Sequence, residues 1–286
     1  MIEGIDVSYA NGYIDWQKVA ASGCRFAMIK ATQGHALSSN SYLFTDRLFT
    51  QNITGAHAAG MDAGVYHYLT AKTVKEAQIE ADHFTATIEP YREKINLYAA
   101  VDVEEDKYLP KNKALLTDIV NAFCETVRAA GYKPCVYTNP AYLTSRLNDV
   151  SKWPLWLACW NRSETLPKGY ERAVIWQHTV VGDEYAVKKG WAQQLGSVPG
   201  VSGAVDLDRG YYTEAAKPVS AVEPAQPALR VGDRVKVVKA ILYGTTRKFV
   251  AFYPWYDVQQ VRGDRVVIGR NGVVTAAVAA GNLKKV

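Results

Sequence analysis

The chain of 286 residues predicts a closed β/α barrel followed by a small all-β module. Three observations predict it. Eight short apolar runs fall between residues 2 and 208, and stretches of helical character separate the first five. A stretch with three prolines, residues 217–228 (KPVSAVEPAQPA), then breaks the pattern and reads as an extended spacer. Beyond it, residues 229–286 contain only short β-type runs. The expected division is therefore a barrel over 1–216, a linker over 217–228 and an SH3-like β module over 229–286.

The eight runs are 2–8 (IEGIDVS), 25–32 (RFAMIKAT), 64–69 (GVYHYL), 97–104 (LYAAVDVE), 133–139 (KPCVYTN), 154–160 (PLWLACW), 173–179 (AVIWQHT) and 203–208 (GAVDLD). They are rich in Val, Ile, Tyr and Trp and are bounded by Gly, Pro or Asn, the signature of strands. Helices are expected over 14–22, 41–59, 74–88 and 111–130, with a short one after Asn139-Pro140, about five in all. Gly131 closes the fourth as a C-terminal cap. Residues 161–172 and 180–202 are punctuated by Gly and Pro and leave room only for loops or poor helices. An open doubly wound sheet lacks support, because no Gly-rich phosphate loop follows the first run. In the module, RVKVVKA, FVAFYPW, YDVQQV, RVVIG and VVTAAV read as strands, and Arg262-Gly263-Asp264 reads as a hairpin turn that needs no adhesive role.

Composition narrows the class. Hydrophobic residues make up 48% and charged residues 21%, which excludes a disordered chain. No apolar run reaches the roughly 18 residues of a membrane span. The start, MIEGIDVSYANG, lacks the basic flank and apolar core of a signal peptide, so synthesis in the cytoplasm is expected. The net charge of +5 conceals an asymmetry: residues 229–286 carry 11 Lys and Arg against 3 Asp, while the rest is mildly acidic. A basic module of this kind suits a polyanion. Cys24, Cys124, Cys135 and Cys159 match no zinc or redox spacing and read as plain buried thiols.

In a βα barrel, chemistry collects at the C-terminal ends of the strands. Those ends carry Asp6, Tyr66 to Tyr68, Asp102 and Glu104, Tyr137 and Asn139, Trp160, Gln177 and His178, then Asp206 and Asp208. Asp102 and Glu104 are the sharpest pair. Residues i and i+2 of a strand share a face, and two carboxyls in an apolar mouth cannot both ionise freely, so one is expected to keep a proton at neutral pH. Glycoside cleavage needs such a donor. A solvated acidic loop over 102–106 is the bland alternative. Aromatic rings at the rim suit the apolar faces of pyranoses. The five histidines form no HExxH, and no G-x-S-x-G elbow occurs, so a zinc peptidase and a serine hydrolase are poorly supported.

Taken in order, GIDVSYANGYIDW, AGVYHYL, VDVE, VYTN, LWLACW, IWQHT and VDLD resemble the family 25 glycoside hydrolases, the muramidases or lysozymes of bacteria and phage endolysins. The resemblance covers about residues 1–212. It implies hydrolysis of the β-1,4 bond between N-acetylmuramic acid and N-acetylglucosamine, with retained configuration and with no metal or organic cofactor. Carried over by position, it implies Glu104 as general acid/base, Asp102 as its partner, and Asp6 and Asp206 as further acids of the site. Register within the last run favours Asp206 over Asp208. Tyr66, Tyr137, Trp160 and Gln177 match cleft positions that bind substrate. A carboxylate nucleophile and assistance by the substrate's own acetamido group are both open, and the second is favoured with Asp102 orienting that group. The module resembles the SH3-type wall-binding domains of endolysins, which implies the peptidoglycan strand and an anionic wall polymer as partners, rather than nucleic acid. Release by a phage holin is the expected route to the wall.

Overall fold

The computed structural model describes residues 1–34, 43–160, 164–192, 196–212 and 229–286. Contacts divide the chain into two compact units, Met1–Thr213 and Glu214–Val286. The expected linker, 217–228, lies outside the described residues.

The first unit contains β1 (Ile2–Val7), β2 (Phe26–Gln33), β3 (Phe44–Thr45), β4 (Asp62–Tyr68), β5 (Ala99–Asp102), β6 (Pro134–Thr138), β7 (Leu155–Ala158), β8 (Ala173–Val181) and β9 (Val205–Gly210). The sheet runs β1-β9-β8-β7-β6-β5-β4-β2-β3, and pairing of β1 with β2 closes it. Without the two-residue β3, which edges β2, eight strands form the closed barrel. Closure leaves no exposed barrel edge.

Alternation along the strands sorts the apolar side chains into two cores. In β2, Phe26 and Met28 point into the barrel with Tyr66, Ala100, Cys135, Tyr137, Trp156 and Ile175. Ala27, Ile29 and Ala31 point outward and join the layer beneath the helices. The inner filling is tight: a Cβ on Gly64 would stand 2.4 Å from the Met28 sulfur, so a side chain there would displace the barrel's own core.

Outside lie α1 (Trp16–Ala21), α2 (Phe49–Ala58), α3 (Val74–Ile88), α4 (Lys113–Ala129), α5 (Pro140–Ser145) and α6 (Glu184–Lys188), six helices among the described residues against about five expected. Helix α4 shows why its segment folds so. Leu116, Ile119, Val120, Phe123, Cys124 and Val127 recur at three- and four-residue spacing and are all buried. The Asn112 side chain accepts from the Leu115 N–H at the start, and Gly131 follows the end with φ +83°. The helix expected over 41–59 begins only at Phe49. Phe44–Thr45 pairs with β2, and the Asp46 carboxylate accepts from the N–H groups of Tyr9 and Leu48, which pins the turn between strand and helix.

The last barrel strand departs from the sequence reading. Seven strands run parallel, but β9 is antiparallel to both β8 and β1. Among the described residues between β8 and β9, the only helix is the five-residue α6. A parallel return needs a crossover that covers the sheet, and that helix is too short to provide one. The reversal matters for the site, because it changes which end of the strand meets the rim.

The second unit is an antiparallel sheet of β10 (Arg234–Val237), β11 (Tyr256–Arg262), β12 (Arg265–Arg270), β13 (Val273–Ala279) and β14 (Leu283–Lys285), ordered β13-β12-β11-β10-β14. Val235, Tyr256, Val258, Val266, Ile268, Ala276, Val278 and Leu283 form its core. Arg262 pairs with Arg265 across a two-residue turn with Gly263 at φ +55°, as the hairpin reading requires. FVAFYPW is not a strand: residues 249–255 are irregular, and Val250, Phe252 and Tyr253 are exposed. Pro254 lacks the N–H a ladder needs. The final strand β14 was not expected.

Cys24, Cys124 and Cys135 are buried free thiols, and Cys159 is free but only half-buried. Among the described residues no helix is long and apolar enough to cross a membrane.

Candidate active site

A cavity of about 180 Å³ opens at one rim of the barrel, lined by Asp6, Lys30, Tyr66, Tyr68, Asp102, Glu104, Tyr137, Trp156, Gln177 and Asp206. The four acids expected of the site, Asp6, Asp102, Glu104 and Asp206, therefore line one cavity. Each comes from a different place in the topology. Asp6 sits near the end of β1 and Asp102 closes β5, with Glu104 two residues further on the same face. Asp206 is the second residue of β9, not the last; it reaches this rim because β9 runs backwards. Its place at the rim was foreseen, but for the wrong reason.

Gln177 organises one side. Its Nε2 donates to Asp6 Oδ2 at 2.9 Å, while its Oε1 accepts from Tyr137 Oη at 3.1 Å and from Trp160 Nε1 at 3.0 Å. Trp160 thus braces Gln177 from behind and does not line the cavity. Tyr66 and Tyr137 each meet Trp156 edge-on, with ring centroids 5.8 and 4.5 Å apart. These rings form a buried floor rather than free stacking faces. His67, at a strand end in the sequence, points the other way: its ring packs against Phe84 and Phe123, and its Nε2 lies 2.8 Å from the buried Glu80 carboxylate.

Beneath the acids lies a second carboxyl pair. Asp208 is fully buried, and its Oδ1 accepts from Trp156 Nε1 at 2.8 Å. Its Oδ2 has no hydrogen-bond partner, and its charge raises the neighbouring Asp6 carboxyl.

Burial raises every acid of the cluster. Asp6 and Asp102 are driven well above the usual carboxylate range by desolvation, with Asp208 adding repulsion at Asp6 and Glu104 at Asp102. Asp206 is raised to about 8 and Asp208 to about 7, again chiefly by desolvation. Glu104 is raised too, although water reaches its side chain: it stands in a concave mouth where protein displaces much of its hydration, and Glu105 adds repulsion. Asp102 and Glu104, expected to keep one proton between them, are thus both raised. Burial is heavier on Asp102, which is 5% exposed, and its Oδ1 has no hydrogen-bond partner. Lys30 opposes burial at both carboxyls, and at Glu104 the Tyr137 side chain does so more strongly. The Lys30 ammonium donates to Gln33 Oε1 at 2.9 Å and lies 4.7 Å from the Tyr68 ring centroid.

Sequence reasoning missed Lys30 and Trp156. Both were visible in principle: Lys30 is the inward position of β2 after Phe26 and Met28, and a charge on that face at the rim is costly unless it meets partners. Among the described residues no group of three or more His, Cys, Asp or Glu is arranged to hold a metal ion. A wider groove of about 520 Å³ lies elsewhere, lined by residues that include Lys113, Asp149, Lys168 and Arg172, but it holds a single acid with no second carboxyl to act against.

Known proteins share this arrangement of chain. The Autolytic lysozyme of Clostridium acetobutylicum is 31% identical over 209 residues, which are 72% of this chain and 55% of that protein. The chain thus spans about half the length of that relative. The crystal structure of the CTP1L endolysin matches with a TM-score of 0.57 at 26% identity, over 73% of this chain and 66% of the other. That of the bacterial lysozyme from Streptomyces coelicolor matches with a TM-score of 0.56 at 25% identity, over 75% and 94%. The profile of the glycosyl hydrolases family 25 matches residues 5–185, well over half of the chain. With a closed barrel whose rim gathers four carboxyls, the chain belongs to glycosyl hydrolases family 25.

Proposed function

We propose that the barrel is an N-acetylmuramidase that cleaves the β-1,4 bond between N-acetylmuramic acid and N-acetylglucosamine in peptidoglycan, and that the chain acts as an endolysin. The observation that carries this is the shared cavity of Asp102 and Glu104, with Asp6 and Asp206 opposite and an aromatic floor below. In this reading Glu104 is the general acid. Water reaches it, so a glycosidic oxygen can, and burial raises it above the usual carboxylate range, the direction a proton donor needs.

Glu104 gives its proton to the leaving oxygen as the bond to the anomeric carbon breaks. The carbonyl oxygen of the substrate's 2-acetamido group forms the new bond to that carbon from the opposite face. The resulting ring is cationic, and Asp102 accepts the hydrogen bond of its N–H. That donor and that cation favour the Asp102 carboxylate against the raising effect of its burial. Glu104, now a carboxylate, takes a proton from water as the water oxygen attacks the anomeric carbon; the bond from that carbon to the acetamido oxygen breaks, its electron pair restores the neutral acetamido group, and configuration is retained. Gln177 and Tyr137 hold Asp6 and the cavity wall, and bind substrate.

Residues 229–286 bind a bacterial cell-wall polymer in this proposal, supported by their 11 cationic against 3 acidic residues. A tethered module raises the local concentration of the enzyme on an insoluble substrate. Synthesis in the cytoplasm and holin-type release complete the endolysin reading.

Mass spectrometry of fragments from digested walls tests the reaction. Reducing-end muramic acid is expected, and Glu104→Gln is expected to lose about 10²–10⁴-fold in rate while keeping its fold. Reducing-end glucosamine overturns the bond assignment. A parent that binds walls yet releases nothing is a catalytically silent glycan-binding protein on the same fold.

A further inference from the structure

The outer face of the second unit carries more positive charge than its fold can use. In β10, Val235 enters the core while Arg234 and Lys236 point outward. Lys236 stands directly opposite Lys284 of β14, both exposed. Like charges placed so across an antiparallel pair are destabilising. The local acids do not relieve them. Asp233 pairs with Lys285 at 2.6 Å, Asp264 accepts from the Ala280 N–H, and Asp257 reaches only Arg234, at 4.0 Å. Among the described residues no carboxylate forms an ion pair with Arg270, Lys236 or Lys284.

Aromatic rings are set among these cations. Trp255 takes two guanidinium groups at once, with Arg234 4.1 Å and Arg270 4.6 Å from its ring centroid. Arg270 also lies 4.6 Å from the Tyr253 centroid. The Tyr253 backbone N–H donates to Tyr256 Oη at 3.1 Å, which ties the irregular 249–255 segment to a core ring. Phe252, next to Tyr253 in sequence, is 78% exposed. An arginine stacked on a ring keeps its planar N–H edge free, and that edge matches a phosphate in two-point fashion. A lysine pair supplies point charges without such geometry.

We propose that Trp255, Arg234 and Arg270, with Lys236 and Lys284 beside them, form a binding site for a phosphodiester-linked anionic polymer of the cell wall. The proposal rests on the reading of residues 229–286 as a wall-binding module and names the site and the ligand chemistry within it. Stacked arginines grip phosphates, and the lysine pair neutralises the next charge along the chain. Nucleic acid offers the same phosphodiester but also needs faces for its bases; the rings nearest the arginines are already covered by them, which favours the wall polymer.

The full chain is tested by co-sedimentation with purified walls, with walls stripped of phosphodiester polymer by hydrofluoric acid, and with single-stranded and duplex oligonucleotide. Hydrolysis of a soluble wall-derived glycan is followed in parallel. The parent is expected to bind intact walls at least tenfold tighter than stripped walls. Arg234→Gln with Arg270→Gln is expected to lose at least tenfold in wall binding, with unchanged melting and unchanged hydrolysis of the soluble glycan. Arg→Lys at both positions should recover only part of the loss, since charge returns without the planar fork. Equal binding to stripped walls, tighter binding to oligonucleotide, or a double variant that binds like the parent overturns the proposal. A parent that binds no wall at all overturns the module's role with it. Failure to cleave the soluble glycan bears instead on the muramidase reading.

Discussion

Asp6 stands directly opposite Asp206 across the antiparallel β1–β9 pair. The two carboxyls meet because the chain begins and ends its barrel side by side, with the last strand reversed. Asp6 raises Asp206 by repulsion, and burial makes that repulsion costly to screen.

That relationship ties barrel stability to pH. Asp206 is raised to about 8 in the folded chain, against an unfolded value near 3.8. A raised acid binds its proton more tightly when folded, so its contribution is complete below the unfolded value and is lost as pH rises through about 8. Asp208, at about 7, acts in the same direction. The melting temperature of the barrel unit is expected to climb as pH falls from 8.5 toward 5, and Asp206→Asn should flatten that climb. A variant with the parent's slope would sink the assignment of this titration to Asp206.

Gln177 satisfies three partners at once, Asp6, Tyr137 and Trp160. Gln177→Leu fills similar space but leaves three polar groups without it. Unfolding in urea is expected to show a loss of about 1–3 kcal/mol, and activity should fall at least tenfold as Asp6 and Tyr137 lose their fixed positions. Loss of stability with full activity would place Gln177 outside the working site.

Trp156 donates to a carboxylate that water does not reach. Trp156→Phe keeps a ring but removes the N–H, and is expected to cost about 1–3 kcal/mol. The same change made on an Asp208→Leu background should cost less, because no acceptor then waits for the missing donor. A double-mutant cycle with coupling of about 0.5–3 kcal/mol measures the bond; coupling near zero would mean that Trp156 acts through packing alone.

Lys30 lowers Asp102 and Glu104 together. Removing its charge in Lys30→Met should raise both, so both limbs of the pH–rate profile are expected to move to higher pH, with Lys30→Arg restoring most of the parent profile. Measuring kcat/KM from pH 4 to 9 decides it. A profile that falls in height without moving would show that Lys30 positions groups rather than tuning them.

The chain's own pattern determined a good deal by itself. Strand alternation put Asp102 and Glu104 on one face, and helix periodicity marked Val74–Ile88 to the residue and α4 to within two. These are local facts, set by the period of two or 3.6 and readable from neighbours in sequence. The ordered motifs from GIDVS to VDLD carried the family because they fall in the strands that build the rim. What tertiary structure alone decided were relations between distant segments. The reversal of β9 turned Asp206 toward the rim; the inward register of β2 delivered Lys30; the fold set Asp208 beneath Asp6, 202 positions away in sequence. No local period encodes which strand runs backwards, or which buried carboxyl a neighbour will repel. Those follow from closing the sheet, since only closure brings the first strand against the last.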